Sequence, residues 1–420
     1  MAGLWNRLRG VPTPPARRGP DPRKITGDVF ADADYHDEDL EPELRGRRPK
    51  ASPSSPPPAP RLPSNYVASS PQAAKARQAQ RSDAEFAAAL DADELDLPEL
   101  RRLAWNGVPP ARRGVVWRCL LGCSAPAKAD RARRADERRA AYRAAVGAAL
   151  LDVPASERSS EDGQMLRQIL VDAPRTCPGV PLFAHDRVQA LIVNVLYVWA
   201  AKHPASGYVQ GMNDLLALFL VVLVDEATGG DGSDSTRADP ASLSDAALDD
   251  LAADAYACLN GVLESLDDNY TIQQPGLART IEEVDGLIRR VDADLRKHLD
   301  AVGVLLLQVT FRWINCLLTR ELPTRAAVRL WDTCLAEEHG FRTFFPYVCA
   351  AFLCHFSETL RAKTSEDVHL FLTDLPTAHW GTDEVETLLS EAYILSTLFK
   401  QSPAHLQHEP DGITATGGFL

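Results

Sequence analysis

Two short segments hold the side chains whose types and spacing point to chemistry. The first is Ile169-Leu170-Val171-Asp172-Ala173-Pro174-Arg175-Thr176; the second, further along, is Gly207-Tyr208-Val209-Gln210-Gly211-Met212-Asn213. Pro174 disfavours helix at Ala173 and limits the backbone just before Arg175. A constrained backbone beside a carboxylate, here Asp172, is one way to pre-position a guanidinium. In the second segment, glycines flank Tyr208-Val209-Gln210 and permit a tight loop that approaches another surface closely. From the residues alone a plainer reading stays open. Arg175 and Asp172 then form a structural ion pair, and Gln210 caps the helix that follows.

Other catalytic patterns are missing. The sequence has no GxxxxGK[ST] phosphate loop, for the glycines at 229, 230 and 232 are followed by Ser and Asp without a lysine. HExxH, GxSxG and GxGxxG are also absent. The ten histidines are scattered and never pair at i, i+4, so no metal site is expected. These absences disfavour an enzyme with its own nucleotide or metal.

The elements that must position the two segments read as helices. From about residue 84 the pattern is helical, beginning with the Ala/Leu/Glu/Asp-rich stretch Glu85 to Leu103. Prolines after Trp105-Asn106-Gly107-Val108 suit the opening of a helix over Arg112 to Cys123, and residues 128–150 read as an exposed helix. Between Asp186 and Lys202, Val188, Leu191, Ile192, Val195, Leu196 and Trp199 recur at helical spacing until Pro204 stops the run. Asn213 to Val224 is apolar all round and belongs in the core. Helical patterns resume at 246–266, 277–300, 302–320, 324–337, 342–362, 365–375 and 382–400, with no convincing strand between them. The fold class is all-α.

Composition sets the outer bounds. Of 30 prolines, 14 lie in the first 83 residues, which read as a disordered Pro-rich tail because they bury too little surface to offset ordering entropy. The tail holds 14 Lys/Arg against 10 Asp/Glu, a net of +4; the whole chain is −13, so residues 84–420 carry −17. Such an acidic globular part argues against a nucleic-acid footprint. Residues 225–245 read as an acidic flexible insertion, and 401–420 as a C-terminal tail. The eight cysteines form no CxxC pair and read as reduced core residues of a cytoplasmic protein. The longest apolar run, Leu215 to Val224, rises only about 15 Å against a ~30 Å hydrocarbon core, so no membrane span is expected.

Together and in this order, the two segments resemble the IxxDxxR and YxQ signatures of TBC-domain Rab GTPase-activating proteins, matched by Ile169, Asp172 and Arg175 and by Tyr208 and Gln210. Asn106-Gly107-Val108-Pro109 with Arg113 and Trp117 resembles the family's opening motif, and Arg329-Leu330-Trp331-Asp332 its late one. The segments LDDNYTIQQPG (266–276), RELPTRAAVRLWDT (320–333), FPYVCAAFL (345–353) and LPTAHW (375–380) are similar to the member-22 branch.

This resemblance implies a two-lobed helical domain over 84–400 acting on a Rab-family GTPase in its GTP-bound state. Arg175 and Gln210 are then the catalytic fingers. The guanidinium offers a planar fork to phosphate oxygens, and the neutral amide donates and accepts at once as it orients the attacking water. Asp172 is expected to hold Arg175 or nearby backbone, Tyr208 to prop the finger loop, and Ile169 and Arg113 to support the site. Trp117 and Trp331 are expected in the core. The resemblance assigns GTP and Mg²⁺ to the partner, leaving this chain without cofactors. It also hints at Golgi-associated vesicle traffic and Golgi adaptor partners. The alternative is a catalytically silent family member that binds a small GTPase or a tethering factor.

Overall fold

A computed structural model describes residues 71–151, 158–230, 238–271 and 273–399. The chain divides into two units, one formed by Asn6–Arg77 and the other by Met1–Trp5 with Gln78–Leu420. Only residues 71–77 of the smaller unit are described, as the start of a helix. The rest of the tail, the middle of the acidic insertion (231–237) and the last residues (400–420) lie outside the described residues.

The larger unit is built from helices. Among the described residues the sole β feature is an isolated bridge between Glu94 and Ala127. Helix α1 (Pro71–Asp91) begins inside the segment expected to be disordered, and α2 (Leu97–Ala104) follows a break that composition did not signal. The break is made by Asp96, whose carboxylate accepts the amide of Glu99 at 3.0 Å and caps α2. Next come α3 (Arg113–Leu120), α4 (Arg131–Val146), α5 (Ser160–Asp172), α6 (Asp186–Lys202) and α7 (Met212–Thr228). The apolar pattern carries α7 past Val224 to Gly229, whose left-handed backbone (φ 71°) ends it, so the expected insertion starts as helix.

Then follow α8 (Asp245–Ser265), α9 (Pro275–Val291), α10 (Ala293–Ala301), α11 (Leu306–Asn315) and α12 (Thr324–Ala336). The chain finishes with α13 (Gly340–Thr343), α14 (Phe345–His355), α15 (Ser357–Arg361), α16 (Ser365–Thr373) and α17 (Thr382–Phe399). The helical run expected at 277–300 is two helices, split where Asp292 accepts the amide of Leu295 and caps α10.

Two groups of helices share one core. In the first, α6 and α7 are buried on all sides and covered by α4, α5 and α8. In the second, α9, α11, α12 and α17 pack around the apolar α14, directly or through one another. The groups join where α3 and α7 meet α12. There Trp117, Phe219 and Trp331 form an aromatic cluster with ring centroids 5.4–6.1 Å apart, and Phe341 extends it. Trp117 and Trp331 are wholly interior. Among the described residues, no helix is long and apolar enough to cross a membrane.

Candidate functional site

Helix α5 starts at Ser159, whose hydroxyl accepts the Asp162 amide at 3.0 Å, and it buries Leu166, Ile169 and Asp172 along one face. Ile169 is fully interior and seats the end of the helix. Pro174 lacks the amide that would continue it, so the chain tightens into a short 3₁₀ turn at Ala173–Arg175 and leaves extended at Thr176. The result is a buried carboxylate, Asp172 (1% exposed), one turn before a half-exposed guanidinium, Arg175. The two form an ion pair between Arg175 Nη2 and Asp172 Oδ1.

The second segment closes against the first. After α6 the chain turns at Gly207 (φ 61°), buries Tyr208 and enters α7 through Gly211 (φ 110°). The Tyr208 hydroxyl donates to Asp172 Oδ2 at 2.7 Å. Burial first, and the neighbouring Asp172 charge second, push that hydroxyl well above the usual phenol range, so it stays a donor. One carboxylate thus takes the guanidinium of one segment on Oδ1 and the phenol of the other on Oδ2.

Gln210 has a fixed base and a free tip. Its carbonyl accepts Asn315 Nδ2 at 2.9 Å, while its side chain is exposed and bonds to no described residue. The alternative in which Gln210 caps α7 is excluded. The cap position is Gly211, and α7 has no side-chain cap. Gly211 is demanded twice, by its positive φ and because a Cβ there would lie 2.5 Å from Asn315 Nδ2.

Several contributors have no clear sign in the sequence. Asn213 is buried and ties both segments together: its Oδ1 accepts the Gly211 amide at 3.2 Å, and its Nδ2 donates to Thr176 Oγ1 at 3.1 Å. Thr176 Oγ1 in turn donates to the Asp172 carbonyl at 3.0 Å. Asn315 sits within the apolar run of α11 and is brought in from more than a hundred residues away. Only Asn213 was within reach of sequence reasoning, as the last residue of the second segment.

Asp214, beside Asn213, is mostly buried. Burial raises its carboxyl above the usual range, opposed by the charge of Arg320. Its folded-state affinity for a proton exceeds the unfolded one, so its contribution to stability is full below the unfolded pKa and is lost as pH rises through the folded one. Asp214→Asn is therefore expected to melt higher than the native chain at neutral pH. That gain should vanish in acid, where Asp214 is protonated in both states. Thermal melts across pH check it, and a lower melting point at neutral pH would refute it. Burial also pushes the Cys177 and Cys316 thiols up to about 12, so neither supplies a thiolate near the site.

Arg113 lies in a different network. Its guanidinium meets the buried Asp332 carboxylate at 3.0–3.2 Å and donates to the Val108 carbonyl at 2.7 Å. Asp332 also accepts Trp117 Nε1 at 2.8 Å and the Val108 amide at 3.0 Å. Arg329, in the same late motif, packs over Gly107 and bonds Thr333. The motif around Asn106–Trp117 and the one at Arg329–Asp332 are thus two halves of one hydrogen-bonded joint, and Arg113 is part of it. Among the described residues no group of three His, Cys, Asp or Glu is placed to hold a metal ion.

Residues 110–360 match the Rab-GTPase-TBC domain model. The chain is 41% identical over 326 residues to the GTPase-activating protein gyp1 of Schizosaccharomyces pombe, covering 77% of this chain and 62% of that protein. It is 39% identical over 323 residues to human TBC1 domain family member 22B, covering 76% and 62%. The crystal structure of the Ypt/Rab-GAP domain of Gyp1p matches with a TM-score of 0.70 at 34% identity, over 76% of this chain and 99% of that one. A Chlamydomonas flagellar RabGAP TBC domain, at 19% identity and a TM-score of 0.54, shares the fold. The chain spans less than two thirds of the length of these curated relatives. With the domain model matched over more than half its residues, on a fold shared with solved members, this chain belongs to the Rab-GTPase-TBC domain family.

Proposed function

We propose that this chain accelerates GTP hydrolysis on a GTP-bound Rab-family GTPase by lending it Arg175 and Gln210. The observation that carries the proposal is the double engagement of Asp172, which joins the arginine segment to the glutamine segment while both finger side chains stay exposed. A GTPase alone is slow because charge on the transferring phosphoryl group is poorly compensated and the attacking water is loosely held. Arg175 supplies a planar cation to the phosphoryl oxygens. Gln210 accepts from the water and donates at the same time, on a backbone already clamped by Asn315. Membership of the family supports the reading.

Single-turnover hydrolysis by a panel of GTP-loaded Rabs tests it. At least one Rab should be accelerated, and Arg175→Ala and Gln210→Ala should each remove most of that acceleration without unfolding the chain. Binding with no acceleration on any Rab would leave a docking protein instead. GTP and Mg²⁺ are assigned to the partner, so calorimetry on the isolated chain should show no tight GTP binding; a clear isotherm would contradict the assignment. On the member-22 resemblance alone, we also place the activity in vesicle traffic at Golgi membranes, with Golgi adaptors as further partners. Imaging of the tagged chain against a Golgi marker tests this, and a distribution excluding the Golgi would overturn it.

A further inference from the structure

We infer that Arg320 is a second cation of this site, contacting an anionic oxygen of the GTP-loaded partner. The inference rests on the GTPase-activating reading above and adds a residue to it.

Three observations converge on Arg320. Its first feature is position: Arg320 Nε lies 4.0 Å from Asp214 Oδ2, and Asp214 follows the Gln210-Gly211-Met212-Asn213 run. Asp214 also feels the charges of Arg175 and Asp172, so both arginines belong to one electrostatic neighbourhood. The second is availability. The Arg320 side chain is 49% exposed and makes no hydrogen bond among the described residues, whereas its neighbour Arg312 is locked to Glu321 by two bonds of 2.6 and 2.7 Å. At 4.0 Å, beyond hydrogen-bond range, Arg320 offsets part of the burial of Asp214 while its half-exposed guanidinium keeps donors to spare.

The third is the turn that presents it. Leu317 (φ 48°) and Leu318 (φ 60°) both adopt the left-handed conformation that a leucine avoids, and both are completely buried. The turn is held by the Leu318 amide on the Trp313 carbonyl at 2.9 Å and by Trp331 Nε1 on the Leu317 carbonyl at 3.2 Å. It reverses the chain directly after Asn315, the residue that clamps Gln210, and so delivers Arg320 beside the finger loop. The backbone conformation is costly and is held in place by the surrounding burial.

Two sources offer the anionic oxygen: a phosphoryl oxygen of the nucleotide, or a carboxylate on the surface of the GTPase. The experiment measures kcat and KM for the native chain, Arg320→Ala, Arg320→Gln, Arg320→Lys and Arg175→Ala on a Rab accelerated in the panel, with a thermal melt of each. Arg320→Ala is expected to lower kcat/KM on the order of ten- to a hundredfold with an unchanged melting point, and Arg320→Lys to recover part of it. A fall in kcat identifies the phosphoryl oxygen; a rise in KM that fades with added salt identifies the carboxylate. Unchanged kcat and KM in Arg320→Ala, while Arg175→Ala is inactive, would overturn this inference and leave the proposed function intact. An active Arg175→Ala would instead strike the function itself. Should Arg320→Ala melt early, Arg320→Gln decides, since it keeps much of the side chain's length and polarity without its charge. A native melting point with reduced kcat/KM supports the contact, and full activity removes it.

Discussion

Arg175→Ala is expected to cut the single-turnover acceleration of GTP hydrolysis by about 10³–10⁵, equivalent to roughly 4–7 kcal/mol of transition-state stabilisation. The size follows from what the side chain does. A guanidinium brought into a partner's nucleotide site faces charge spread over several oxygens, in a space from which docking has displaced water. Its charge and its fork geometry both count there. Arg175→Lys keeps the charge beside Asp172 but loses the fork, and is expected to recover only a small part of the rate. The native ion pair is compatible with this use. If the arginine turned out to a partner, Asp172 would retain the Tyr208 hydroxyl, so its buried carboxylate would not be left bare. Asp172→Asn should therefore lower the rate by loosening Arg175, while leaving Gln210 on its Asn315 clamp. Rapid-quench measurement of phosphate release checks the series. Native rates from a folded Arg175→Ala chain would end the finger interpretation.

How much of this was legible depended on how far apart the interacting residues lie in the chain. Helix α6 was readable to its ends because apolar spacing is strict between Asp186 and Lys202 and Pro204 follows closely. The same local logic found the Arg175 and Gln210 segments, whose proline and glycines constrain the backbone on their own account. Local logic failed at Asp96 and Asp292, where a capping carboxylate splits a run that composition paints as continuous helix. It also failed at Leu317-Leu318, for nothing in two leucines announces a left-handed turn; only their tertiary burial makes it tolerable. It left two roles open for Gln210, and the start of α7 at Gly211, with no side-chain cap, removed one of them. Asn315 and Asp332 act on residues more than a hundred positions away, beyond the reach of any period or motif spacing.

Asp332→Ala is expected to destabilise the chain by about 3–5 kcal/mol, a large share of the 5–15 kcal/mol that holds a typical domain together. The carboxylate is fully interior and receives Arg113, Trp117 Nε1 and the Val108 amide. Removing it strands a guanidinium that is itself only 12% exposed, together with two further donors. Those two donors, on Val108 and Trp117, are buried at the seam where α3 meets α12 and do not reach water without opening it. Asp332→Asn is expected to fall between, since one oxygen still accepts while the amide nitrogen faces donors. The partner change separates a buried-charge effect from a lost contact. If the cost is the stranded cation, Arg113→Met combined with Asp332→Ala should be less destabilised than the sum of the two single changes. Urea denaturation of the four chains measures that coupling. A fifth chain, Arg113→Lys, tests where Arg113 belongs. A structural Arg113 predicts native GTPase activation per folded molecule in Arg113→Lys, whereas lost activation at an unchanged unfolding midpoint would move it into the functional site.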